Sequence, residues 1–332
     1  MKELEVVAGI DIGGTTTKLG LVNEHGEILL KKRLKTDSGQ SYQSFFQHVC
    51  DELEAMKLSL HDQYLVEIIS VGVGAPNGNC YTGIIDNAAN LQWKGKVPVT
   101  EVIEQYLNIS SFLANDANSA AIGEMKFGLA KGMKNFAAIT LGTGLGCGLV
   151  VNGELVIGHN GHAAEIGHSN VYPDGRPCKC GLNGCFETYV SGPGLLKTAH
   201  KLLNKHAIES TMRDKAADGT LSPIDVTTAA RAGDALALEA YHITGEILGY
   251  KLADLVSYID PEAIILMGGL AKAGTLLLNP TKKYFEKNLL HVYRDNVTLA
   301  ISNLNNDDAG ILGAAAVGWN GLQQKVGSEL SK

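Results

Sequence analysis

The sequence contains no apolar segment of the length that a membrane-spanning helix requires. No window approaches ~18 uninterrupted apolar residues, and the N-terminal segment MKELEVVAGIDIGG has no apolar stretch long enough for a signal peptide. We therefore expect a soluble protein that resides in the cytoplasm.

Positive charge is also limited. The chain has 28 lysines and arginines against 35 aspartates and glutamates, and the basic residues form no block. Nucleic-acid binding requires a basic face that neutralises phosphates, and an anionic membrane surface selects for the same property. The formal net charge of −7 therefore argues against partners of either kind.

Two common nucleotide-binding motifs are missing as well. The segment LGTGLGCG contains Gly142 and Gly144 of a G-x-G-x-x-G fingerprint, but Cys147 stands where the third glycine should be. No G-x-x-x-x-G-K-[ST] P-loop occurs anywhere in the chain. Neither a Rossmann dinucleotide site nor a P-loop is therefore predicted.

Glycine, by contrast, is abundant, with 39 among 332 residues. The glycines gather at the ends of predicted strands rather than in low-complexity runs, which points to contacts between backbone and ligand. A chain of this length is too long for one simple core and suits two domains. A hydrophobic content of 45% is sufficient for a large core.

Cysteine is concentrated in one short segment. Four side chains there match the ligand set of a structural Zn²⁺, namely His168, Cys178, Cys180 and Cys185. Gly181 and Gly184 suit a tight turn around one ion, and Glu165 and Glu187 flank the set. The C-x-C beginning is tighter than the C-x₂₋₄-C of a zinc finger, so the spacing is not that of a nucleic-acid-binding finger. The alternatives are a disulfide with one free thiol, or three unrelated buried cysteines.

The first glycine turn lies between two predicted strands, 6–12 and 16–22. Its N–H groups and one hydroxyl can cradle a phosphate, and they belong to Gly13, Gly14 and Thr15. Asp11, at the end of the first strand, is placed to hold Mg²⁺ or its water shell. An ordinary Gly-Gly hairpin with a solvated Asp11 is the alternative.

A second turn of this kind contains Gly142, Thr143 and Gly144 between two β-rich segments. The repetition suggests a duplicated architecture with one phosphate-binding hairpin in each half. Gly268 and Gly269 follow a further apolar strand. They permit close approach of a nucleotide base or ribose, or they form a plain β–α turn.

Two polar segments complete the candidate site. Asn115 and Asp116 lie where a short strand meets a helix, so Asp116 is either a functional carboxylate or no more than an N-cap. The segment 80–93 is rich in Asn, including Asn87 and Asn90. Their amides can bind a polyhydroxy ligand or simply form turns.

In this order and spacing, the motifs resemble those of the ROK (repressor, open reading frame, kinase) family of sugar kinases, within the hexokinase/actin-like ATPase superfamily. The resemblance covers essentially the whole chain. It implies an α/β fold of two domains, each built on one copy of a duplicated ribonuclease H-like (actin-like ATPase) βββαβα core, closing over an interdomain cleft. The implied small domain comprises residues 1–114 and 309–325, and the larger domain, with the zinc loop, comprises residues 115–308.

The resemblance also implies transfer of the γ-phosphoryl group of ATP to a hexose, with glucose and glucose 6-phosphate as the first choice of substrate and product. Asp116 then acts as the general base, and Asp11 faces Mg²⁺. The implied sugar contacts come from Asn90, Asn115, Glu165, His168 and Glu187. The nucleotide and its phosphates contact Gly13, Gly14, Thr15, Gly142, Thr143, Gly144, Gly268 and Gly269. The implied ligands of a structural zinc ion are His168, Cys178, Cys180 and Cys185.

Other members of the family imply other outcomes. Kinases for N-acetylglucosamine, N-acetylmannosamine, fructose or mannose keep the same catalytic roles, and we expect the loop 76–93 to select the sugar. Sugar-sensing repressors have a helix-turn-helix domain ahead of the first strand, whereas the Asp11 turn here begins close to residue 1. A homodimer is expected from the resemblance alone. Members often have Lys directly after Gly-Gly-Thr, but here Thr16 and Thr17 precede Lys18, and no phosphate contact is assigned to Lys18.

Overall fold

The structure is a computed structural model that describes residues 2–36, 39–88, 90–305 and 307–330. It divides into two compact units. The first is Met1–Gly132 with Leu155–Ala163 and Asn303–Lys332, and the second is Met133–Glu154 with Ala164–Ser302. The first unit includes Asn115 and Asp116, which the predicted ranges place in the larger domain. No described helix is both long and apolar enough to cross a membrane.

The elements of the first unit begin with β1 (Lys2–Ile12), β2 (Thr16–Val22), β3 (Ile28–Lys35), α1 (Tyr42–Ser59) and β4 (Tyr64–Ala75). The short strands β5 (Gly78–Asn79), β6 (Ile84–Asp86) and β7 (Lys96–Pro98) follow, and then α2 (Val99–Leu107), β8 (Ser111–Asn115) and α3 (Asp116–Phe127).

The second unit contributes β9 (Phe136–Leu141) and β10 (Leu145–Val151), which are followed by β11 (Glu154–Leu155). Its helices and remaining strands are α4 (Gly192–Lys205), α5 (Arg213–Ala217), α6 (Pro223–Arg231), α7 (Ala235–Ile259), β12 (Ala263–Met267), α8 (Thr275–Asn288) and β13 (Thr298–Ile301). The chain then returns to the first unit with α9 (Ala309–Leu330).

The two larger sheets have the same topology. The strand order is β3-β2-β1-β4-β8 in the first and β11-β10-β9-β12-β13 in the second. In each sheet an antiparallel hairpin comes first, β1–β2 or β9–β10. A parallel strand, β4 or β12, then pairs with the first strand of that hairpin. A second parallel strand, β8 or β13, pairs with β4 or β12 in turn. This repetition confirms the predicted α/β fold with a duplicated core.

Both faces of the first sheet are covered. Successive side chains along a strand point to opposite faces. Val6 and Ile10 therefore pack in the core that includes α1 and α2, whereas Val7 packs with Ile311 and Ala315 of α9. A strand buried on both sides needs apolar residues at nearly every position, which explains the continuous apolar run that predicted β1.

The helix α9 lies directly on the backbone of this sheet. A Cβ atom at Gly9 would come within 2.5 Å of the Ile311 carbonyl oxygen. One at Gly72, in β4, would overlap with the Ala314 carbonyl. Because only glycine permits such close packing, these contacts fix the position of α9 along β1 and β4.

Candidate active site

The turn between β1 and β2 is closed by its own backbone. Gly13 donates its N–H to the Thr16 carbonyl at 3.1 Å. A Cβ atom on Gly14 would come within 2.5 Å of the Asn90 carbonyl oxygen. The structure thus brings the predicted phosphate turn and the predicted sugar contact Asn90 side by side. Ala89, in the predicted sugar-selecting loop, lies outside the described residues.

Asp11, at the end of β1, is surrounded by three groups of its own unit. Its partner in the hairpin register is Lys18, whose Nζ lies 3.9 Å from Asp11 Oδ2 and donates to the Asp307 carbonyl at 3.2 Å. Gly310, in the first turn of α9, is so close that a Cβ atom would overlap with the Asp11 carboxylate. Desolvation raises the pKa of Asp11, the Lys18 charge lowers it, and the Asp116 carboxylate raises it.

The sequence left open whether Asp116 is a functional carboxylate or only the N-cap of a helix, and the structure shows that the N-cap is Asn115. Asn115 is the N-cap of α3, and its side-chain oxygen accepts a hydrogen bond from Ala117 N at 2.9 Å. Asp116 Oδ1 accepts from the same N–H at 2.8 Å, yet its side chain stays accessible to solvent. Nearby protein atoms still displace enough water to raise its pKa, and this effect exceeds the lowering by backbone hydrogen bonds. Asp116 is therefore a reachable carboxylate with increased basicity.

The second glycine turn connects β9 and β10 in the other unit. Gly142 donates its N–H to the Gly144 carbonyl at 3.0 Å, and its own carbonyl accepts from Gly192 N at 2.9 Å, which attaches the turn to the beginning of α4. Thr143, at the tip, is exposed. A Cβ atom on Gly144 would lie 2.9 Å from Glu187 Oε2. The Glu187 carboxylate thus packs against the predicted phosphate turn.

Gly268 and Gly269 follow β12 and differ in their surroundings. Gly268 has a φ of +92°, and a Cβ atom there would lie 2.6 Å from the Leu141 carbonyl oxygen. A Cβ atom on Gly269 would meet no atom of the described residues within 4 Å. The backbone therefore requires glycine at 268, whereas Gly269 leaves free space that a ligand can use.

The four predicted zinc ligands converge in the second unit. The ligand atoms of His168, Cys178, Cys180 and Cys185 lie within 4.8 Å of one another. Cys178 Sγ is 3.8 Å from His168 Nδ1, and Cys180 Sγ is 3.6 Å from Cys185 Sγ. Zn–S bonds of ~2.3 Å place tetrahedral ligands about 3.8 Å apart, whereas disulfide sulfurs are ~2.05 Å apart. All six cysteines are free, so the cluster fits a tetrahedral metal ion.

Two glycines shape the loop between the cysteines. Gly181 and Gly184 have φ values of +92° and +73°, a region in which side chains are unfavourable. Gly181 donates to the Cys178 carbonyl at 3.1 Å, and Cys178 donates to the Leu182 carbonyl at 2.8 Å. The tight turn predicted for this loop is present.

The cluster formed by His168 and the three cysteines also includes or contacts predicted sugar-binding residues. Cys178 Sγ lies 3.2 Å from Glu187 Oε1. His168 directs Nδ1 towards Cys178, so its other ring nitrogen, Nε2, is free of that contact. The Glu165 carbonyl accepts from His168 N at 3.1 Å, while the side chain of Glu165 is exposed. One segment therefore positions a candidate metal-binding cluster, an imidazole and a carboxylate together.

The predicted site residues thus form two groups, one in each unit. The first unit contains Asp11, Gly13, Gly14, Thr15, Asn90, Asn115 and Asp116, and the second contains the glycines of the other turns, Thr143, Glu165, His168, Glu187 and the cysteines. The sequence analysis did not identify Gly310, which lies against the Asp11 carboxylate, and it assigned no role to Lys18. The hairpin register would have placed Lys18 opposite Asp11, but no motif near residue 310 indicates the contact with Asp11.

Known proteins resemble the chain over nearly its full length. The model of the ROK family matches residues 7–319. A glucokinase of Halalkalibacterium halodurans is 38% identical over 97% of this chain and 96% of its own. The crystal structure of a ROK family glucokinase from Streptomyces griseus, in complex with glucose and AMPPNP, has 32% identity and a TM-score of 0.77, covering 95% of this chain and 99% of that chain. A xylose repressor of Caldicellulosiruptor bescii is 26% identical over 95% of this chain and 78% of the repressor.

Proposed function

The chain belongs to the ROK family, and on this premise we propose that it transfers the γ-phosphoryl group of ATP to glucose and forms glucose 6-phosphate. Its similarity to glucokinases over most of its length supports this activity. The structural observation that carries the proposal is the accessible carboxylate of Asp116, whose pKa is raised by desolvation.

Asp116 is the proposed general base. A carboxylate is a weak base for an alcohol, but it need only accept the hydroxyl proton as the new P–O bond forms. A raised pKa increases its basicity while leaving it ionised at a working pH above that pKa. Asn115 caps α3, so the first turn of the helix, and with it the Asp116 carboxylate, has a defined position.

The two glycine turns are the proposed phosphate sites. Gly13 and Gly142 already donate their N–H groups within their own turns. We therefore assign the phosphate contacts to the remaining residues of the turns, which are Gly14, Thr15, Thr143 and Gly144. The carboxylate oxygens of Asp11 suit Mg²⁺, which when bound would neutralise phosphate charge, and phosphoryl transfer depends mainly on such neutralisation and on positioning.

The proposed sugar contacts are carboxylates, amides and an imidazole. They belong to Asn90, Asn115, Glu165, His168 and Glu187. A site built to hydrogen-bond a hydroxyl rejects an analogue that lacks it by as much as ~10⁴-fold. His168 would use Nδ1 for a zinc ion and Nε2 for a hydroxyl, so that the metal, when bound, orients the ring.

The decisive experiment is ADP release from Mg-ATP by zinc-replete protein, with glucose, mannose, fructose, N-acetylglucosamine and N-acetylmannosamine offered separately. Fast turnover with glucose alone is the expected result. Turnover with another sugar of this panel would leave the role of Asp116 unchanged. It would mean that the loop 76–93 selects a sugar other than glucose. Turnover with none of them overturns the proposed activity.

A sugar-sensing regulator is the second candidate, because the similarity includes a xylose repressor. This candidate predicts that a sugar binds, as measured by calorimetry, while no ADP is released. A protein that binds a sugar and turns it over excludes a purely sensory role.

We also propose that the protein is a cytoplasmic homodimer, an expectation based on family resemblance. Light scattering over a wide range of protein concentrations tests the assembly. A mass that remains that of one chain at every concentration would exclude the dimer.

A further inference from the structure

The backbone of Arg176 closes the base of the cysteine-rich loop. Its N–H donates to Tyr189 Oη at 2.9 Å, and its carbonyl accepts from Gly184 N at 2.8 Å. Gly184 directly precedes Cys185, and Arg176 lies shortly before Cys178. These two hydrogen bonds therefore join the two ends of the segment that contains the three cysteines.

The guanidinium group of Arg176 connects this base to a neighbouring helix. Nη1 donates to the Thr188 carbonyl at 2.8 Å and to the Gly194 carbonyl at 3.0 Å. Nη2 donates to Thr198 Oγ1 at 2.8 Å. Thr188 directly follows Glu187, while Gly194 and Thr198 lie in the first half of α4. One side chain thus holds the loop, the segment behind Glu187 and α4 together.

The arrangement requires arginine for its shape more than for its charge. The acceptors are two carbonyls and a hydroxyl, and the guanidinium lies over the Tyr189 ring with Cζ 4.5 Å from the ring centroid. A partly buried cation among neutral groups is unfavourable unless its N–H groups are matched by acceptors. The planar fork of arginine reaches several separated acceptors, which the compact ammonium of lysine does not.

We propose that Arg176 is a positioning residue for the cluster of His168, Cys178, Cys180 and Cys185 and for Glu187. It fixes the base of the loop to α4, so that the four ligands and the Glu187 carboxylate keep their geometry even before a metal ion binds. A metal ion, when bound by the four ligands, would hold the same loop at a second point. The effect on sugar binding rests on the proposed function, because it requires Glu187 to contact the sugar, whereas the effect on the metal does not.

The test compares Arg176→Met and Arg176→Lys with Arg213→Met in zinc-loaded protein. Arg213 is a matched control, because it also lies in the second unit and donates to backbone carbonyls, those of Leu203 and Ile208. Its acceptors lie outside the loop. Zinc release to an excess of chelator is followed with a metal-sensitive dye in the absence of substrates. KM values for glucose and ATP are measured separately, and Tm is recorded for every variant.

Loss of a residue hydrogen-bonded directly to a metal ligand typically weakens metal binding by about 10–100-fold. The Arg176 side chain acts one step further out, through Thr188 and α4, so we expect zinc release from Arg176→Met to accelerate by about tenfold, the lower end of that range. KM for glucose should rise while KM for ATP stays nearly constant. Arg176→Lys should show nearly the same increases in zinc release and in KM for glucose as Arg176→Met. Arg213→Met should change only Tm.

A purely structural role for Arg176 would lower Tm in Arg176→Met and Arg213→Met alike and leave zinc release unchanged, which would overturn the proposal. If Arg176→Met does not fold, Thr198→Val removes a single acceptor and gives the same comparison, so that unchanged zinc release there also overturns it. If the wild type phosphorylates no sugar, the proposed function fails, and zinc release still decides the role of Arg176.

Discussion

Lys18 and Asp11 face each other across the first hairpin, with Lys18 Nζ 3.9 Å from Asp11 Oδ2. Desolvation and the Asp116 carboxylate both raise the pKa of Asp11, and the Lys18 charge opposes them. Lys18 therefore favours the ionised form of the carboxylate that we propose to face Mg²⁺. This relationship gives Lys18 a role that needs no contact with phosphate.

In Lys18→Met, Asp11 loses the positive charge that lowers its pKa, and its pKa rises further. Because the proposal requires an ionised Asp11, the acidic limb of the pH profile of kcat/KM for Mg-ATP should move to higher pH. Lys31→Met is the control, since it removes another Lys–Asp pair of the same unit, with Lys31 Nζ 2.6 Å from Asp308 Oδ1. An unmoved acidic limb in Lys18→Met would contradict the role assigned to this pair.

Asp116→Asn should lower kcat by ~10²–10⁴-fold, the usual loss when a general base is removed. The amide oxygen can still accept from Ala117 N, so the fold should persist. Turnover of ATP with saturating glucose measures the loss. Asp62→Asn, at an exposed position of the same unit, should leave kcat unchanged. A kcat for Asp116→Asn within a few-fold of the wild type would remove Asp116 from the mechanism.

Asp116→Asn should also change the dependence of stability on pH. The folded-state pKa of Asp116 is raised, so the folded protein holds this proton more tightly than the unfolded chain does. The free energy of unfolding therefore falls as pH rises from the unfolded pKa through the folded pKa. Asparagine removes this decline, and Tm at neutral pH should be equal to or higher than that of the wild type. A lower Tm there would mean that the ionised carboxylate stabilises the fold.

Removal of zinc should impair sugar binding before it impairs ATP binding. Glu187 contacts the cluster through Cys178. The second glycine turn also packs against Glu187, but it has a second attachment, to α4 through Gly192, that does not involve the cluster. Chelation should raise KM for glucose at a stage when KM for ATP is little changed. Cys180→Ser should reproduce the effect, and Lys179→Met, at an exposed neighbouring position that is not among the four ligands, should not. Retained hexose affinity in fully zinc-stripped protein would contradict this expectation.

Gly268 and Gly269, which follow β12, are expected to be glycine for different reasons: Gly268 for the backbone conformation and Gly269 for space next to a ligand. Gly268→Ala should destabilise the fold by roughly 1–2 kcal/mol or more, because the residue must stay in a left-handed conformation and its Cβ would meet the Leu141 carbonyl. Gly269→Ala should leave Tm unchanged, because its Cβ meets no atom within 4 Å in the part of the chain that the structure describes. It should raise KM for ATP several-fold, because the Cβ enters the space that is predicted for the nucleotide. Thermal melts and initial rates measure both. An unchanged KM in Gly269→Ala would place the nucleotide elsewhere.

The sequence was most informative where a motif is local. The Asp11–Thr15 turn lies between two strands whose apolar runs are unmistakable, and the cysteine cluster depends on spacing within one loop. Contacts between distant segments were not predictable. Gly310 approaches Asp11, and Arg176 reaches Thr198, only because the packing of whole elements brings them together.

The helix α8 shows how packing can override a local signal. Proline normally lies before a helix or in its first turn, because within a helix it removes a backbone hydrogen bond. The structure begins α8 at Thr275 and includes Pro280 within it. Its ring packs against Gly245 of α7, where a Cβ atom would lie 2.6 Å from Pro280 Cγ. The glycine that makes room for the proline is distant in sequence, so the pattern around residue 280 could not indicate it.

The packing of α9 on Gly9 and Gly72 has a consequence for the order in which the chain acquires its structure during translation. Domains generally fold as units as the nascent chain emerges. Every strand of the second unit's sheet has been synthesised before residues 309–330 exist. One face of the first sheet, with the bare backbone at these glycines, must wait for α9. We therefore expect the N-terminal unit, although the ribosome makes it first, to be the last to complete its fold.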